Sequence, residues 1–295
     1  MRILLPLLML AGMALWTAQA EAPRPEPAKP LYSNLDDASA LAWTMDALRA
    51  ADIPEAAVEQ LREWIQDYNA LSKGNPVYTV TGTFAEMEGG AVRYGEPVED
   101  YYEFNYRWWK AAKKDYWDVL CRSTAYTLTR DRIDVTEPLA EEDWEKVWLE
   151  TDHNGVDSNP GIRWTPSEKA AYFTLFDPIF MEKTAGGADA ACARVLEKWR
   201  SHGVSFRDGG ASLLTLWCEW HENGQYELFA SHAAVMVNLP EGGVLVFEKI
   251  GPEYPYQATV FACEAEVSAH FDAWLLQDDL QPEYHFLLKD GERLS

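Results

Sequence analysis

Cysteine is scarce in this sequence, and no two cysteines stand at C-x-x-C spacing. The four that occur are far apart along the chain: Cys121, Cys192, Cys218 and Cys263. A zinc ribbon and a redox dithiol both need closely spaced pairs, so the pattern excludes the first and argues against the second. It also predicts no disulfide framework, and it leaves the pairing of Cys192, Cys218 and Cys263 open.

Positive charge is also in short supply. The chain has 25 Lys and Arg residues against 48 Asp and Glu residues, which gives a formal net charge of −23. Proteins that bind nucleic acid neutralise phosphates with clustered Lys and Arg side chains. The one basic patch, residues 110–114, lies between acidic stretches. The sequence therefore predicts no nucleic-acid partner.

Recognisable metal-binding patterns are missing as well. The sequence has no His-x-x-x-His spacing of the kind that metal-dependent hydrolases use. Residues 152–159 resemble a calcium loop, but its twelfth position, where a carboxylate is needed, is Arg163. The sequence therefore predicts neither a metal nor another cofactor.

Long apolar runs are absent except near the N-terminus, where residues 3–11 follow a single positive charge at Arg2. A small-x-small site, Ala18-Gln19-Ala20, comes next, and signal peptidase cleaves at such sites. Residues 1–20 are therefore predicted to be a secretory signal peptide that leaves a mature N-terminus near Glu21. An uncleaved anchor helix is the alternative, although the run is short for a bilayer span, which needs about 20 apolar residues.

Export places the mature chain in the periplasm or outside the cell. Residues 21–31 are rich in proline, which disfavours helix and central strand, and are predicted to be a linker. Residues 32–295 are predicted to form one α+β domain that does not span a membrane after the signal is cleaved.

Within this domain, the patterns indicate helices first and strands later. Helical periodicity and capping residues predict early helices, one of which bears Cys121. Turn signals at Asn223-Gly224 and Gly242-Gly243 separate alternating segments, which predicts antiparallel strands. The expected fold is α+β, with a helical N-terminal part and a C-terminal antiparallel sheet of three or four strands packed on the Cys-bearing helix, in a papain-like arrangement.

Cys121 is the first candidate for chemistry. It stands at the predicted start of a helix, where unpaired backbone N–H groups and the positive end of the helix dipole favour a thiolate. The thiolate is the nucleophilic form of cysteine, and the same N–H groups can stabilise an oxyanion. The alternative is that Cys121 is a small buried residue without a chemical role.

His232 and Glu248 complete a candidate triad. His232 is a polar residue among apolar ones at the start of a predicted strand, and Glu248 lies in the next strand. If Met236 pairs with Glu248, even-numbered residues share a face and Glu248 lies diagonal to His232, where it can fix the imidazole tautomer. Gln257 and Asn238 are weaker candidates for that role. Alternatively, His232 is a core histidine and Glu248 a member of a surface ion pair.

Six segments of the chain resemble a bacterial family called domain of unknown function 4300. They are residues 32–35 (Tyr-Ser-Asn-Leu), 121–122 (Cys-Arg), 199–206, 231–235 (Ser-His-Ala-Ala-Val), 247–249 (Phe-Glu-Lys) and 255–257 (Pro-Tyr-Gln). The resemblance extends over most of the predicted mature chain. It implies no activity, because none is established for the family.

The order of elements also resembles that of NlpC-type papain-like cysteine peptidases and amidases, which cut peptide or amide bonds in bacterial cell walls. This resemblance implies that Cys121 is the nucleophile, His232 the base and Glu248 the orienting group. The sequence departs from that group in two ways. The stretch between Cys121 and His232 is longer than compact NlpC domains use, and their third residue is more often His, Asn, Gln or Asp.

Two functions are therefore expected as alternatives. The first is an exported papain-like thiol hydrolase that acts on peptide or amide bonds, with peptidoglycan or a peptide as candidate substrate. The second is a noncatalytic cell-envelope protein that binds glycan or peptide through the aromatic-rich residues 101–117.

Overall fold

The structure is a computed structural model of the 295-residue chain. It describes residues 29–72, 82–92, 94, 114–222, 224–249, 251, 254–275, 282 and 284–294. The predicted signal peptide, most of the predicted linker and residues 101–113 of the aromatic-rich segment lie outside these ranges.

The described residues form seven α-helices, most of which precede the main strands. They are α1 (Ala38–Ala50), α2 (Glu55–Ser72), α3 (Cys121–Thr129), α4 (Glu150–Ser158), α5 (Pro166–Phe176), α6 (Ala188–Ser201) and α7 (Glu264–Leu275). Capping side chains begin two of these helices, α1 at Asp37 and α5 at Thr165. The Asp37 side chain accepts hydrogen bonds from the backbone N–H groups of Ser39 and Ala40, which begins α1 there.

The two longest of the described strands, β6 and β7, follow one another along the chain, and every strand before them has two or three residues. They are β1 (Leu31–Ser33), β2 (Ala85–Glu86), β3 (Ile133–Val135), β4 (Ile179–Met181), β5 (Val204–Phe206), β6 (Ala211–Glu222), β7 (Gln225–Asn238), β8 (Val244–Lys249), β9 (Tyr256–Phe261), β10 (His285–Lys289) and β11 (Glu292–Arg293). Leu31, the last residue of the predicted linker, is therefore the first residue of β1.

Nine of these strands form one antiparallel sheet in the order β11-β10-β6-β7-β8-β9-β1-β2, with β4 paired to β7; β3 and β5 form a separate pair. The α+β class and the four consecutive antiparallel strands β6 to β9 confirm the prediction. The sheet is larger than the predicted three or four strands. The added strands are short segments on both sides of this core: β1, β2 and β4 come from distant parts of the chain, and β10 and β11 form a hairpin at the C-terminal end of the described residues, around Asp290-Gly291.

Both faces of the sheet carry apolar side chains, and each face has its own core. Val235 and Phe247 belong to the larger core, which also contains residues of α1, α2, α3, α5 and α6. Ala234 and Val246 belong to a smaller core with Phe271 of α7. This alternation follows from the two-residue period of a strand. The sheet is therefore buried between α7 on one face and the other helices on the opposite face.

The register of β7 and β8 differs from the predicted one by two residues. Glu248 pairs with Ala234, and Met236 pairs with Val246 instead of with Glu248. A shift of two residues preserves the face on which each side chain lies, because side chains alternate with period two. His232 and Glu248 therefore still share a face and are diagonal neighbours.

The tight turn between β7 and β8 depends on Gly243. Its φ is +79°, and a Cβ there would lie 2.6 Å from the carbonyl oxygen of Phe261. Only glycine avoids both the strain and the contact. This turn sets the register of the two strands that bear His232 and Glu248.

Within the described residues, no helix is both long and apolar enough to cross a membrane.

Candidate functional site

Cys121 is the first residue of α3, as the sequence predicts. The helix start is held by Ser123, whose Oγ accepts a hydrogen bond from the backbone N–H of Leu120. The first backbone N–H groups of a helix have no acceptor within it and carry a partial positive charge. Cys121 is 9% exposed, so its thiol lies near these groups in a mostly dry environment.

The imidazole of His232 lies close enough to the thiol of Cys121 for each group to shift the pKa of the other. Burial raises the pKa of the Cys121 thiol, but the charge and hydrogen bond of His232 and the charge of Arg122 lower it, and the lowering prevails. Burial lowers the pKa of His232, whereas Cys121 and Glu248 raise it to about 9. Both shifts favour a thiolate–imidazolium pair at neutral pH.

Glu248 holds the opposite side of the His232 ring. Its Oε2 lies 2.8 Å from His232 Nε2, and both side chains are almost fully buried. Burial raises the pKa of Glu248, but hydrogen bonds and charges of His232 and His270 lower it to about 2. Because Nε2 faces this carboxylate, Nδ1 is the ring nitrogen left for the Cys121 thiol. Glu248 thus fixes the ring orientation that a proton-accepting histidine needs.

A β-bulge in β7 immediately precedes His232. Leu216 of β6 pairs with His232 and Trp217 pairs with Ala230, which leaves Ser231 as the extra residue. Because a bulge adds one residue to a strand, the side chains after it lie on the opposite face of the sheet from the one that the alternation before it would give them. The ring of His232 then packs against Trp274 of α7, at 5.1 Å between centroids. The bulge therefore places His232 on the α7 face.

The N-terminus of α3 approaches β7 at a break in the sheet. Strand β6 occupies one edge of β7, so β4 and β8 must share the other, where they pair with residues 226–228 and 234–238 respectively. Among the described residues, no strand pairs with residues 229–233 on that edge. Arg122, next to Cys121, fills part of this break, because its Nη1 donates a 2.7 Å hydrogen bond to the carbonyl oxygen of Ala230.

Arg122 is itself held by a buried carboxylate. Its Nε donates a 3.0 Å hydrogen bond to Asp152 Oδ1, and its Nη2 contacts Asp152 Oδ2. The Tyr172 hydroxyl donates to the same carboxylate. The side chain of Asp152 is fully buried, so the pair links α3, α4 and β7 in an environment of low dielectric constant. We call this pair the Arg122–Asp152 clamp.

A second group of polar side chains lies behind Glu248. Gln257 of β9 donates to Glu248 Oε1 at 3.2 Å and accepts a 2.6 Å hydrogen bond from the Tyr94 hydroxyl. Asn34, just after β1, donates to Tyr94 at 2.8 Å. This chain of hydrogen bonds connects β1 with the carboxylate of Glu248 and restricts how that carboxylate can rotate.

The structure therefore brings Cys121, His232 and Glu248 together. Gln257 contacts Glu248 and not the imidazole in the hydrogen bonds described, and Asn238 is an exposed residue at the far end of β7. All four cysteines lie in the described ranges, and none forms a disulfide.

The segment 152–159, discounted above as a calcium loop, is mostly α4, with Asp152 bound to Arg122. In the part of the chain that the structure describes, no group of three or more His, Cys, Asp and Glu residues could hold a metal ion.

The sequence patterns missed two features of the site. Asp152 and His270 contact Arg122 and Glu248 respectively, yet each is far from its partner along the chain. The sequence did contain one signal for His270. It lies on the same face of α7 as the apolar residues Val267 and Phe271, and a polar residue on the buried face of a helix needs a partner.

Comparison with known proteins gives one result. No curated protein and no solved structure shows a significant match to this chain. The family model described as "Domain of unknown function (DUF4300)" matches residues 31–283, a range that contains β1, the Cys121 helix, the bulged strand and Glu248. This match covers most of the chain, and the chain belongs to the DUF4300 family.

Proposed function

We propose that this protein is an exported, papain-like thiol hydrolase that cleaves peptide or amide bonds through an acyl-enzyme on Cys121. One observation carries the proposal: Cys121, at the N-terminus of a helix, lies beside His232, which lowers the pKa of its thiol, and His232 Nε2 in turn lies 2.8 Å from a buried carboxylate oxygen of Glu248. Nucleophile, base and orienting group in this order are the arrangement of a triad.

The first half-reaction follows from the protonation states of the pair. His232 holds the proton of the Cys121 thiol, and the thiolate attacks the carbonyl carbon of the bond to be cleaved. Backbone N–H groups at the start of α3 stabilise the oxyanion that forms. His232 then gives its proton to the leaving nitrogen, the C–N bond breaks, and a thioester remains on Cys121.

The second half-reaction restores the enzyme. His232 takes a proton from a water molecule, whose oxygen attacks the thioester carbonyl. The C–S bond breaks, the thiolate of Cys121 returns to its contact with the imidazolium, and a carboxylic acid is released. Glu248 remains ionised throughout, because its role is to orient and stabilise the His232 imidazolium.

Peptide or amide bonds of the bacterial cell wall are the proposed substrates. Two features support this choice: the resemblance to NlpC-type enzymes in the order of the Cys, His and third residues, and the predicted signal peptide, which would bring the chain to the compartment of that polymer. The formal net charge of −23 would repel a polyanionic substrate such as nucleic acid, which is consistent with a peptide or amide substrate.

The thiol reactivity of Cys121 tests the proposal directly. We expect iodoacetamide to alkylate Cys121 faster than Cys192, Cys218 and Cys263 at neutral pH, because its pKa is lowered and the thiolate is the reactive form. The rate should stay high as the pH falls below the ordinary range of a thiol. Peptide mass spectrometry after timed alkylation measures the rate at each cysteine separately.

Two variants make this assay decisive. In Cys263→Ser the exposed thiol is removed, which leaves the buried cysteines as the competing sites. In His232→Gln the partner of Cys121 is removed, and the pH at half-maximal alkylation of Cys121 should rise towards that of an ordinary thiol. Equal rates at Cys121 in the parent chain and in His232→Gln would refute the hydrolase and favour the noncatalytic binding protein.

Export is tested separately from catalysis. We expect the chain recovered from the periplasm or the culture medium to begin within a few residues of Glu21, because Ala18-Gln19-Ala20 is the small-x-small site that follows the apolar run. N-terminal sequencing of that material measures it. Material that still begins at Met1 would contradict the prediction and support an anchor helix.

A further inference from the structure

His270 of α7 lies between two hydrogen-bond acceptors. Its Nδ1 is 2.9 Å from the carbonyl oxygen of Gly90, and its Nε2 is 3.4 Å from Glu248 Oε1. The residue is 2% exposed, so water does not replace either contact. The carbonyl oxygen of Gly90 can only accept, and Nδ1 must therefore carry a hydrogen.

The second nitrogen decides the charge of the ring. A neutral imidazole with its hydrogen on Nδ1 would aim the lone pair of Nε2 at the Glu248 carboxylate, which repels it. A ring with hydrogens on both nitrogens donates to both neighbours. In a buried site, where an unmet or repulsive polar contact is costly, the doubly protonated ring is the form that fits this geometry.

We infer that His270 is a buried imidazolium and a positioning residue of the Cys121–His232–Glu248 site, holding Glu248 Oε1 while His232 holds Oε2. This inference deepens the proposed function and rests on it for its catalytic meaning. It assigns to α7 a part in the site that lies outside the triad itself.

Charge balance supports the inference. A thiolate on Cys121, an imidazolium on His232 and a carboxylate on Glu248 together carry one negative charge in a buried site. Isolated buried charge is costly, and the chain as a whole already carries a formal net charge of −23. An imidazolium on His270 brings the four-residue group to zero net charge.

The imidazole of His270 is surrounded by polar and aromatic groups from β8, β9, α7 and the segment that contains Gly90. Glu248 of β8 faces Nε2, and Gly90 faces Nδ1. The rings of Phe261 in β9 and Phe271 in α7 lie against the imidazole, at 5.3 and 5.2 Å between centroids. Beyond Glu248, the polar neighbours are His232 of β7, Gln257 of β9 and, through Gln257, Tyr94.

The direct test is the protonation state of His270 in the parent chain. We expect ¹⁵N NMR of a histidine-labelled sample near pH 7 to show one buried imidazole with hydrogens on both nitrogens in addition to His232. The spectrum of His270→Gln, which should lack that signal, assigns it. A neutral ring with its hydrogen on Nδ1 would overturn the inference, whatever the activity of the protein.

The second test is the reactivity of Cys121 in His270→Gln. Glutamine keeps an N–H donor for Glu248 but removes the positive charge, so the thiolate is stabilised less. We expect the pH at half-maximal alkylation of Cys121 to rise by about one unit, which slows alkylation about tenfold at a pH below that midpoint. A fall in thermal stability with an unchanged alkylation midpoint would mean a merely structural role.

The matched control is His285→Gln. His285 of β10 is also paired with a carboxylate, Asp272 at 2.7 Å, but both side chains are partly exposed. Its replacement should leave the alkylation midpoint of Cys121 unchanged. The test is separable from the proposed function: a doubly protonated His270 beside a Cys121 that cleaves no peptide or amide bond would refute the hydrolase and leave this charge assignment standing.

Discussion

Replacing Cys121 with serine is expected to reduce hydrolysis of peptidoglycan peptides by about a thousandfold or more, because a serine hydroxyl paired with this histidine is a far weaker nucleophile than a thiolate. Stability should change little, within about 1 kcal/mol, since the hydroxyl is close in size and can also bond to His232. The measurements are release of amine or peptide fragments from purified cell walls and the midpoint of thermal unfolding.

The matched control is the same substitution at an exposed cysteine. Cys263→Ser should keep both the activity and the unfolding midpoint of the parent chain, because Cys263 is exposed. If Cys121→Ser kept its activity but unfolded at a much lower temperature, Cys121 would be a packing residue, and the hydrolase proposal would fail.

Breaking the Arg122–Asp152 clamp is expected to have the largest effect on stability. Arg122→Met removes the cation and leaves the fully buried Asp152 carboxylate with a hydrogen bond from the Tyr172 hydroxyl but without a positive partner. An uncompensated buried charge costs about 3–5 kcal/mol in the free energy of unfolding. Urea denaturation followed by tryptophan fluorescence measures this loss.

Two further variants separate the buried charge from general packing. Asp152→Asn in the Arg122→Met background removes the unpaired charge and should recover part of the lost stability. Arg49→Met breaks a network with Asp46, Glu55 and Glu59 at the surface and should cost about 0–1 kcal/mol. Equal losses in Arg122→Met and Arg49→Met would contradict the structural role of the clamp.

Activity gives an independent view of the clamp. Arg122 ties the start of α3 to the unpaired edge of β7, one residue before the bulge that aims His232. At a temperature low enough for the Arg122→Met variant to stay folded, it should still cleave substrate more slowly than the parent chain. The reason is that the Cys121 thiol and the His232 imidazole are no longer held in one geometry.

The predictions that came from local pattern agree with the structure for local reasons. Helix α1 begins where Asp37 caps it, and α3 begins at Cys121, so the placement of the thiol at a helix N-terminus was readable from neighbouring residues. The common face of His232 and Glu248 was also readable. The common face depends only on the two-residue period of strands, so the prediction of it holds although the predicted register of β7 and β8 differs from the observed one by two residues.

By itself, the sequence determined the α+β class, the strands β6 to β9, and a thiol, an imidazole and a carboxylate able to meet. Only the tertiary structure decided which groups complete the site. The Ser231 bulge, the break in the sheet beside Ala230, Asp152 under Arg122 and His270 behind Glu248 all depend on contacts between segments far apart in the chain. The physical reason is that capping and strand period are set by neighbouring residues, whereas a buried charge finds its partner only after distant elements have packed together.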